Sequence, residues 1–199
     1  MRRLWAGTYD ILAICHVNHY NSRVMAYFMP EHRNVLRWGS NLAEGIVCKE
    51  MSWSVKGVYD IKTLSEFNTE DPRDGIFAQL LMVEPGEAPL PHHFRVCLQD
   101  TEILNFVRKN PPVDLLSLFT FIMTHELLHI HRFTTGKADF YGDPRDEEVV
   151  VDILTRLFLA KNPVTGLKQV LTILDKVQAA PLYNEHIVDN QGRFVRAYL

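Results

Sequence analysis

The sequence predicts an α+β domain in which a mixed or antiparallel sheet packs on one long buried helix, and a second helix follows. Residues 115–133 form an apolar run without glycine or proline, which is long enough for a buried helix. Residues 77–83 and 93–98 are short apolar runs joined by a loop with Pro and Gly, which indicates a hairpin of two strands. The second helix is predicted over residues 143–160, where an Asp-Pro pair supplies a cap and a first-turn proline.

Shorter elements are predicted in the rest of the chain. Residues 8–28 have apolar side chains at roughly helical spacing, so we expect a helix there. Residues 31–75 mix aromatic residues with glycines, which favours short strands and turns. Residues 101–109 and 166–178 each follow a threonine or begin with one, which predicts two short capped helices.

The composition limits the classes of partner. With a net charge of −3 and no basic cluster, the chain offers no electrostatic footprint for nucleic acid. No stretch approaches the ~18 apolar residues of a membrane span, and no signal-peptide core follows the first residues, so we expect no membrane contact and a cytoplasmic location. The three cysteines are odd in number and lack CxxC spacing, which favours free thiols. The oligomeric state is not predicted.

A short motif lies inside the long predicted helix. Residues 125–129 read His-Glu-Leu-Leu-His, and positions four apart share a helix face, so His125 and His129 present two imidazoles to one point with Glu126 beside them. Histidines and a glutamate on a buried helix each need a polar partner, and a single metal ion serves both imidazoles. The motif therefore predicts a zinc site.

The second predicted helix supplies candidates for a third ligand. Glu148 follows His129 after a gap of eighteen residues, and Asp152 stands one turn later, where it would orient a ligand histidine. Glu147 competes, because it lies in line with the most apolar face of this helix. The gap of eighteen residues after His129, and the acid one turn later, favour Glu148 over Glu147 as the third ligand. We therefore expect zinc affinity to fall sharply in Glu148→Ala and to change little in Glu147→Ala.

This pattern resembles the gluzincin clan of zinc metallopeptidases, in which HExxH is followed by a gap of this order and a glutamate on the next helix. The resemblance covers about residues 115–160. It implies a zincin-like fold and a zinc ion held by His125, His129 and Glu148, with a water in the fourth position and Glu126 as general base. It also implies that one strand of the preceding hairpin lies at the sheet edge and binds an extended substrate.

Other polar residues near the motif have open roles. Asp139 is a less favoured third ligand. Tyr141 is the preferred donor of a hydrogen bond to the oxyanion of the tetrahedral intermediate, and Tyr183, His186 and His131 compete for that role. His131 stands two residues past the motif, on another side of the helix, and is expected to be a polar residue at a fraying helix end.

Together these features predict zinc-dependent hydrolysis of peptide bonds in a peptide or protein substrate. We expect residues 1–199 to form one zincin-like domain, with an N-terminal portion over 1–75 and a catalytic core over 76–199. Two alternatives stay open: a zinc-binding regulatory or structural protein without turnover, and an amide hydrolase acting on a small molecule. Glu126 argues against a purely structural site, because such a site fills its fourth position with a protein ligand.

Overall fold

The fold is α+β, as the sequence predicts. The computed structural model describes residues 26–66, 76–83 and 93–178, together with the backbone of three short strands near the chain ends. None of the described helices is long and apolar enough to cross a membrane. The helices are α1 (Arg33–Met51), α2 (Asp100–Lys109), α3 (Leu115–Thr134), α4 (Pro144–Lys161) and α5 (Leu167–Gln178). The strands are β1 (Tyr9–Ile11), β2 (Tyr59–Lys62), β3 (Ala78–Val83), β4 (His93–Leu98), β5 (His186–Val188) and β6 (Phe194–Arg196).

Helix α3 is the centre of the core. The Asp114 side chain caps its first turn by accepting from the Ser117 backbone N–H at 2.8 Å, and Gly136, at φ 67°, follows its end. Every residue from Ser117 to His131 is buried. The helix packs against α1, α2, α4 and α5 and beneath the sheet, which explains why its sequence is apolar nearly all round.

Helix α1 lies where the sequence analysis predicted strands and turns, so that prediction was wrong over Arg33–Met51. Its glycines read as turn signals, but Gly39 faces α3 so closely that a Cβ atom there would lie 2.7 Å from Cδ1 of Phe119. Glycine is used here for close helix packing. Because α1 packs against α3, this part of the N-terminal portion belongs to the same core as the motif helix.

The larger sheet has the strand order β1-β3-β4-β2. The predicted hairpin is confirmed, since β3 pairs antiparallel with β4 from Ala78↔Leu98 to Val83↔His93. Strand β2 adds parallel to β4, and β1 adds antiparallel to β3. Strand β1 covers only residues 78–80 of β3, so residues 81–83 pair with β4 alone within the described part of the chain, and substrate binding along that half of β3 stays a prediction. Strands β1 and β2 stand at the two ends of the strand order.

The helix predicted over residues 8–28 is not found where the structure describes that range. Tyr9–Ile11 form a strand, residues 26–29 are not helical, and residues 12–25 lie outside the described part. The cross-strand pairing to β3 takes up backbone groups that a helix would have bonded locally.

Helix α4 begins as its sequence predicts. Asp143 caps it by accepting from the Arg145 backbone N–H at 2.9 Å, and Pro144 is its first residue. It ends at Lys161, before Asn162-Pro163, and packs against α3. This packing brings the second turn of α4 against the motif on α3.

Candidate metal centre

Three predicted ligands meet between α3 and α4. His125 and His129 lie four residues apart on one face of α3, and their Nε2 atoms are 3.1 Å apart. Glu148 approaches from the second turn of α4, with Oε2 3.2 Å from Nε2 of His125 and Oε1 3.2 Å from Nε2 of His129. The structure thus brings the two motif histidines and the glutamate chosen by spacing to one point.

The donor atoms fit a single zinc ion. Zinc–nitrogen and zinc–oxygen bonds of ~2.0–2.1 Å in a tetrahedron hold the donors ~3.3 Å apart. The separations of 3.1 and 3.2 Å among His125, His129 and Glu148 lie close to that value. One ligand atom from each of these residues lies within 4.8 Å of the others, and no fourth donor joins the cluster from the described part of the chain. Among these residues, the fourth position is left to a non-protein ligand.

Charge and burial favour a cation at this point. Both histidines are fully buried, whereas the Glu148 side chain is 25% exposed, so the cluster opens to solvent on the α4 side. Burial raises the pKa of Glu148, but hydrogen bonds with the two imidazoles outweigh burial and lower this pKa to about 2. For His129, burial lowers the pKa, and contacts with Glu147 and Glu148 overcome it and raise the pKa to about 9. The carboxylate is thus ionised and the centre attracts positive charge.

The side chain of Glu126 has no hydrogen-bond partner among the described residues. It is fully buried, and neither of its side-chain oxygens accepts a hydrogen bond within the described part of the chain. Burial raises its pKa to about 8, and the nearby charge of Glu148 adds to that effect. A buried carboxylate without a hydrogen bond is costly, so its place beside the two histidines indicates a functional group rather than a packing one.

A second carboxylate supports His129 from the side away from the cluster. Oε1 of Glu147 lies 3.5 Å from Nδ1 of His129, and both oxygens of Glu147 accept from Nε of Arg132, at 2.8 and 3.0 Å. Asp152, which the sequence suggested for this role, accepts from Nε of Arg156 at 2.9 Å through Oδ2. Its buried Oδ1 has no hydrogen bond among the described residues, so the support of a ligand histidine by Asp152 stays a prediction.

Aromatic rings pack beside the two histidines. The Phe133 ring stacks on His129 at 5.8 Å, and Phe121 lies 6.5 Å from the His125 ring. Phe133 in turn contacts Phe94 of β4 and Phe140 of the α3–α4 connection. These contacts restrict the imidazoles to orientations in which both Nε2 atoms face Glu148.

The remaining sequence candidates lie apart from this cluster. Tyr141 is 73% exposed in the α3–α4 connection, and its ring contacts Phe140. Asp139 is exposed, and its carboxylate accepts from the Tyr141 backbone N–H, so it is not one of the three clustered donors. Tyr183 and the side chain of His186 lie outside the described residues.

His131 is not at a fraying helix end, and that expectation was wrong. It is buried, its ring meets Trp53 edge-on at 5.1 Å, and α3 continues to Thr134. Burial and the neighbouring Lys137 and Arg132 lower its pKa to about 4, so the imidazole is neutral at pH 7. It is a core residue between α3 and the end of α1.

The chain was compared with protein-family models, curated proteins and solved structures. None of the three comparisons gives a match.

Sequence reasoning missed the pairing of Arg132 with Glu147. A signal was present, because an arginine one turn after a ligand histidine and an acid beside the third ligand can pair across two adjacent helices. The pairing could not be assigned until the relative position of α3 and α4 was known.

Proposed function

We propose that this chain is a gluzincin-like zinc peptidase with a zincin-like arrangement of sheet, motif helix and ligand-bearing helix. The observation that carries the proposal is Glu126. It is a fully buried carboxylate with no hydrogen bond to the described residues, and it stands beside three donors at zinc spacing. A structural zinc site has no use for such a group, whereas hydrolysis needs a base at this position.

The chain's own residues have separable roles in this proposal. His125, His129 and Glu148 would hold the ion. When bound there, zinc supplies Lewis acidity, which polarises a carbonyl group and lowers the pKa of water. Glu126, next to His125 on α3, would take a proton from the attacking water and pass it to the leaving amine.

The surrounding residues keep the histidines in place. Arg132 holds Glu147 against the Nδ1 side of His129, and Phe133 stacks on the same ring. A carboxylate beside the outer nitrogen favours the tautomer that carries its proton there, which leaves the inner nitrogen free to bind a metal. Substrate would enter from the α4 side, where Glu148 is partly exposed.

Cys48 and Cys97 are free thiols, which supports the proposal of a cytoplasmic location, since disulfides are uncommon there. The substrate is proposed to be a peptide or protein.

The decisive experiment compares the wild-type chain with Glu126→Gln. We expect both proteins to bind about one zinc ion, because the carboxylate lies outside the donor cluster. Turnover of a peptide library, followed by mass spectrometry, should fall by about a thousandfold or more in the variant, because the base and its charge are lost together. A zinc chelator should abolish wild-type cleavage, and added zinc should restore it.

Three outcomes would contradict this proposal in different ways. Full zinc occupancy with no cleavage of any peptide by the wild-type chain would favour a regulatory or structural zinc protein. Cleavage of small amides but not of peptides would favour the small-molecule hydrolase. Equal turnover by wild type and Glu126→Gln would refute the assigned base.

A further inference from the structure

A second surface of the molecule has no part in the metal centre. It is a groove of about 640 Å³ between α1 and β2, which we call the α1–β2 groove. Arg33 and Arg37 line it on the helix side, Lys56 lies in the turn before β2, and Tyr59 and Asp60 lie on the strand side. No residue of α3 or α4 lines it, so the groove is separate from His125, His129 and Glu148.

The acidic residues of the α1–β2 groove already have partners. Asp60 accepts from Arg95 through both oxygens, at 2.7 and 2.8 Å, and lies 3.3 Å from Nε2 of His93. Glu44 accepts from the Tyr59 hydroxyl at 2.6 Å. Arg95 therefore neutralises the charge of Asp60, whereas the phenol of Tyr59 is neutral and leaves Glu44 negatively charged. That one carboxylate is outnumbered by the three cations of the groove.

The cations of the groove, by contrast, have no carboxylate partner among the described residues. Arg33, Arg37 and Lys56 are all exposed, and the hydrogen bond of Arg37 goes to the neutral side chain of Asn34 at 3.3 Å. Elsewhere in the described part of the chain the pattern is different, because all arginines but Arg108 pair with carboxylates: Arg95, Arg132, Arg145 and Arg156. The groove therefore carries a net positive charge that the fold does not neutralise.

The strand side of the groove also has an open backbone edge. Strand β2 pairs only with β4, and within the described part of the chain no strand covers its other side. An edge of this kind presents unpaired N–H and C=O groups and accepts an added strand from a partner.

The spacing of the charges matches an extended partner. Arg33 and Arg37 are four residues apart on α1, a rise of ~6 Å along the helix axis. Alternate side chains of an extended strand are ~7 Å apart and point to the same side. Acidic side chains at alternate positions of an added strand would therefore meet successive arginines.

We infer that the α1–β2 groove binds an extended acidic peptide segment, which adds a strand to β2 and places alternate carboxylates against Arg33 and Arg37. The segment belongs to a partner protein. This site acts by binding and does not depend on hydrolysis at the metal centre.

The test is direct binding of a fluorescein-labelled peptide that alternates Glu with Thr, using the full-length Glu126→Gln chain so that the probe cannot be cleaved. We expect binding to the parent protein and a loss of affinity of about tenfold or more when both arginines are reversed, in Arg33→Glu with Arg37→Glu. A peptide with Gln in place of each Glu should bind as weakly as that variant does. Circular dichroism and zinc content verify that the variant is folded, and Lys56→Glu gives a second, independent charge reversal.

The matched control lies on α2. Arg108 is an exposed arginine whose hydrogen bond, like that of Arg37, goes to an asparagine three residues earlier, and Lys109 is its exposed neighbour. Arg108→Glu with Lys109→Glu therefore changes the net charge equally without touching the groove, and should keep the parent affinity. Equal weakening by this control would overturn the proposal.

The backbone contribution is tested separately. Methylating alternate backbone nitrogens of the peptide removes the donors that strand addition needs, so binding should be lost. Undiminished binding of the methylated peptide, equal competition by single-stranded DNA, or no binding of the parent peptide would each overturn the inference. None of these results bears on the peptidase proposal, because the readout is binding in a chain that lacks the base.

Discussion

At the scale of single residues, the two neighbouring glutamates of α4 have different tasks. Glu148 contacts both Nε2 atoms of the cluster, whereas Glu147 lies against the outer nitrogen of His129 and is held by Arg132. From sequence, the two glutamates were alternative candidates for one ligand position. The structure places both beside the His129 imidazole, with Glu148 near Nε2 and Glu147 near Nδ1.

This division predicts a graded loss of zinc affinity. Glu148→Ala removes one of three donors and should weaken zinc binding by about a hundredfold or more, whereas Glu147→Gln removes only a supporting carboxylate and should cost about tenfold. Competition with a fluorescent zinc chelator measures both affinities. Asp146→Asn, an exposed position on the same helix, serves as the control and should not differ from wild type. A larger loss in Glu147→Gln than in Glu148→Ala would reassign the ligand.

Tyr141 gives a second residue-scale prediction. Its exposed phenol stands two rings from His129, through Phe140 and Phe133, so it has no part in holding the ion. As the candidate oxyanion donor it acts only on a bound substrate. We expect Tyr141→Phe to lower kcat about tenfold while zinc content stays the same. An unchanged kcat would remove Tyr141 from the mechanism.

At the scale of elements, the start of α3 is joined to the start of α5. The Ser117 hydroxyl donates to the Asp114 carboxylate at 2.6 Å and also lies 2.8 Å from the Thr165 carbonyl oxygen. Gly166, at φ 89°, fits against this junction only because it has no side chain, since a Cβ atom would lie 2.2 Å from Oγ of Ser117. The cap at the start of α3 therefore packs against Gly166, which lies far along the chain just before α5.

A pair of glycine variants tests this junction. Gly166→Ala should destabilise the protein by about 2–4 kcal/mol, from a left-handed backbone and a steric clash combined. Gly136→Ala has the same backbone problem, at φ 67°, but no atom within 4 Å of its Cβ, so it should cost only about 1 kcal/mol. Urea unfolding monitored by circular dichroism gives both values. Equal losses in the two variants would show that the contact with Ser117 is unimportant.

At the scale of the whole molecule, the proposed metal links two helices that otherwise meet through side-chain packing. His125 and His129 belong to α3, and Glu148 belongs to α4. A ligand that binds only the folded state stabilises it in proportion to the logarithm of its concentration over Kd. Occupancy of the centre should therefore be visible in the stability of the entire domain.

Zinc should raise the melting temperature. At a free concentration about a hundred times Kd, the gain is about 2.7 kcal/mol, or a Tm increase of about 5–10 °C for a chain of this size. Differential scanning fluorimetry with zinc and with a chelator measures the shift, and magnesium serves as the control ion. The shift should be lost in Glu148→Ala. Identical melting with zinc and with chelator in the wild-type chain would count against the metal centre.

Where local patterns are strong, the sequence was sufficient. The cap-proline pair at Asp143-Pro144, the uninterrupted apolar helix ended by Gly136, and the hairpin were all predictable, because caps, helix periodicity and strand runs depend on nearby residues. The same is true of the motif, since four-residue spacing on a helix places His125 and His129 together whatever surrounds them.

Only the tertiary structure decided the features that depend on distant neighbours. Gly39 allowed α1 to form a helix against α3, although from sequence it indicated a turn. The strand order placed β1 and β2 on the outer sides of the hairpin, and the packing of α4 on α3 set Glu147 against His129. Each of these outcomes is set by which surfaces pack together, and packing energy overrides local preference wherever the two disagree.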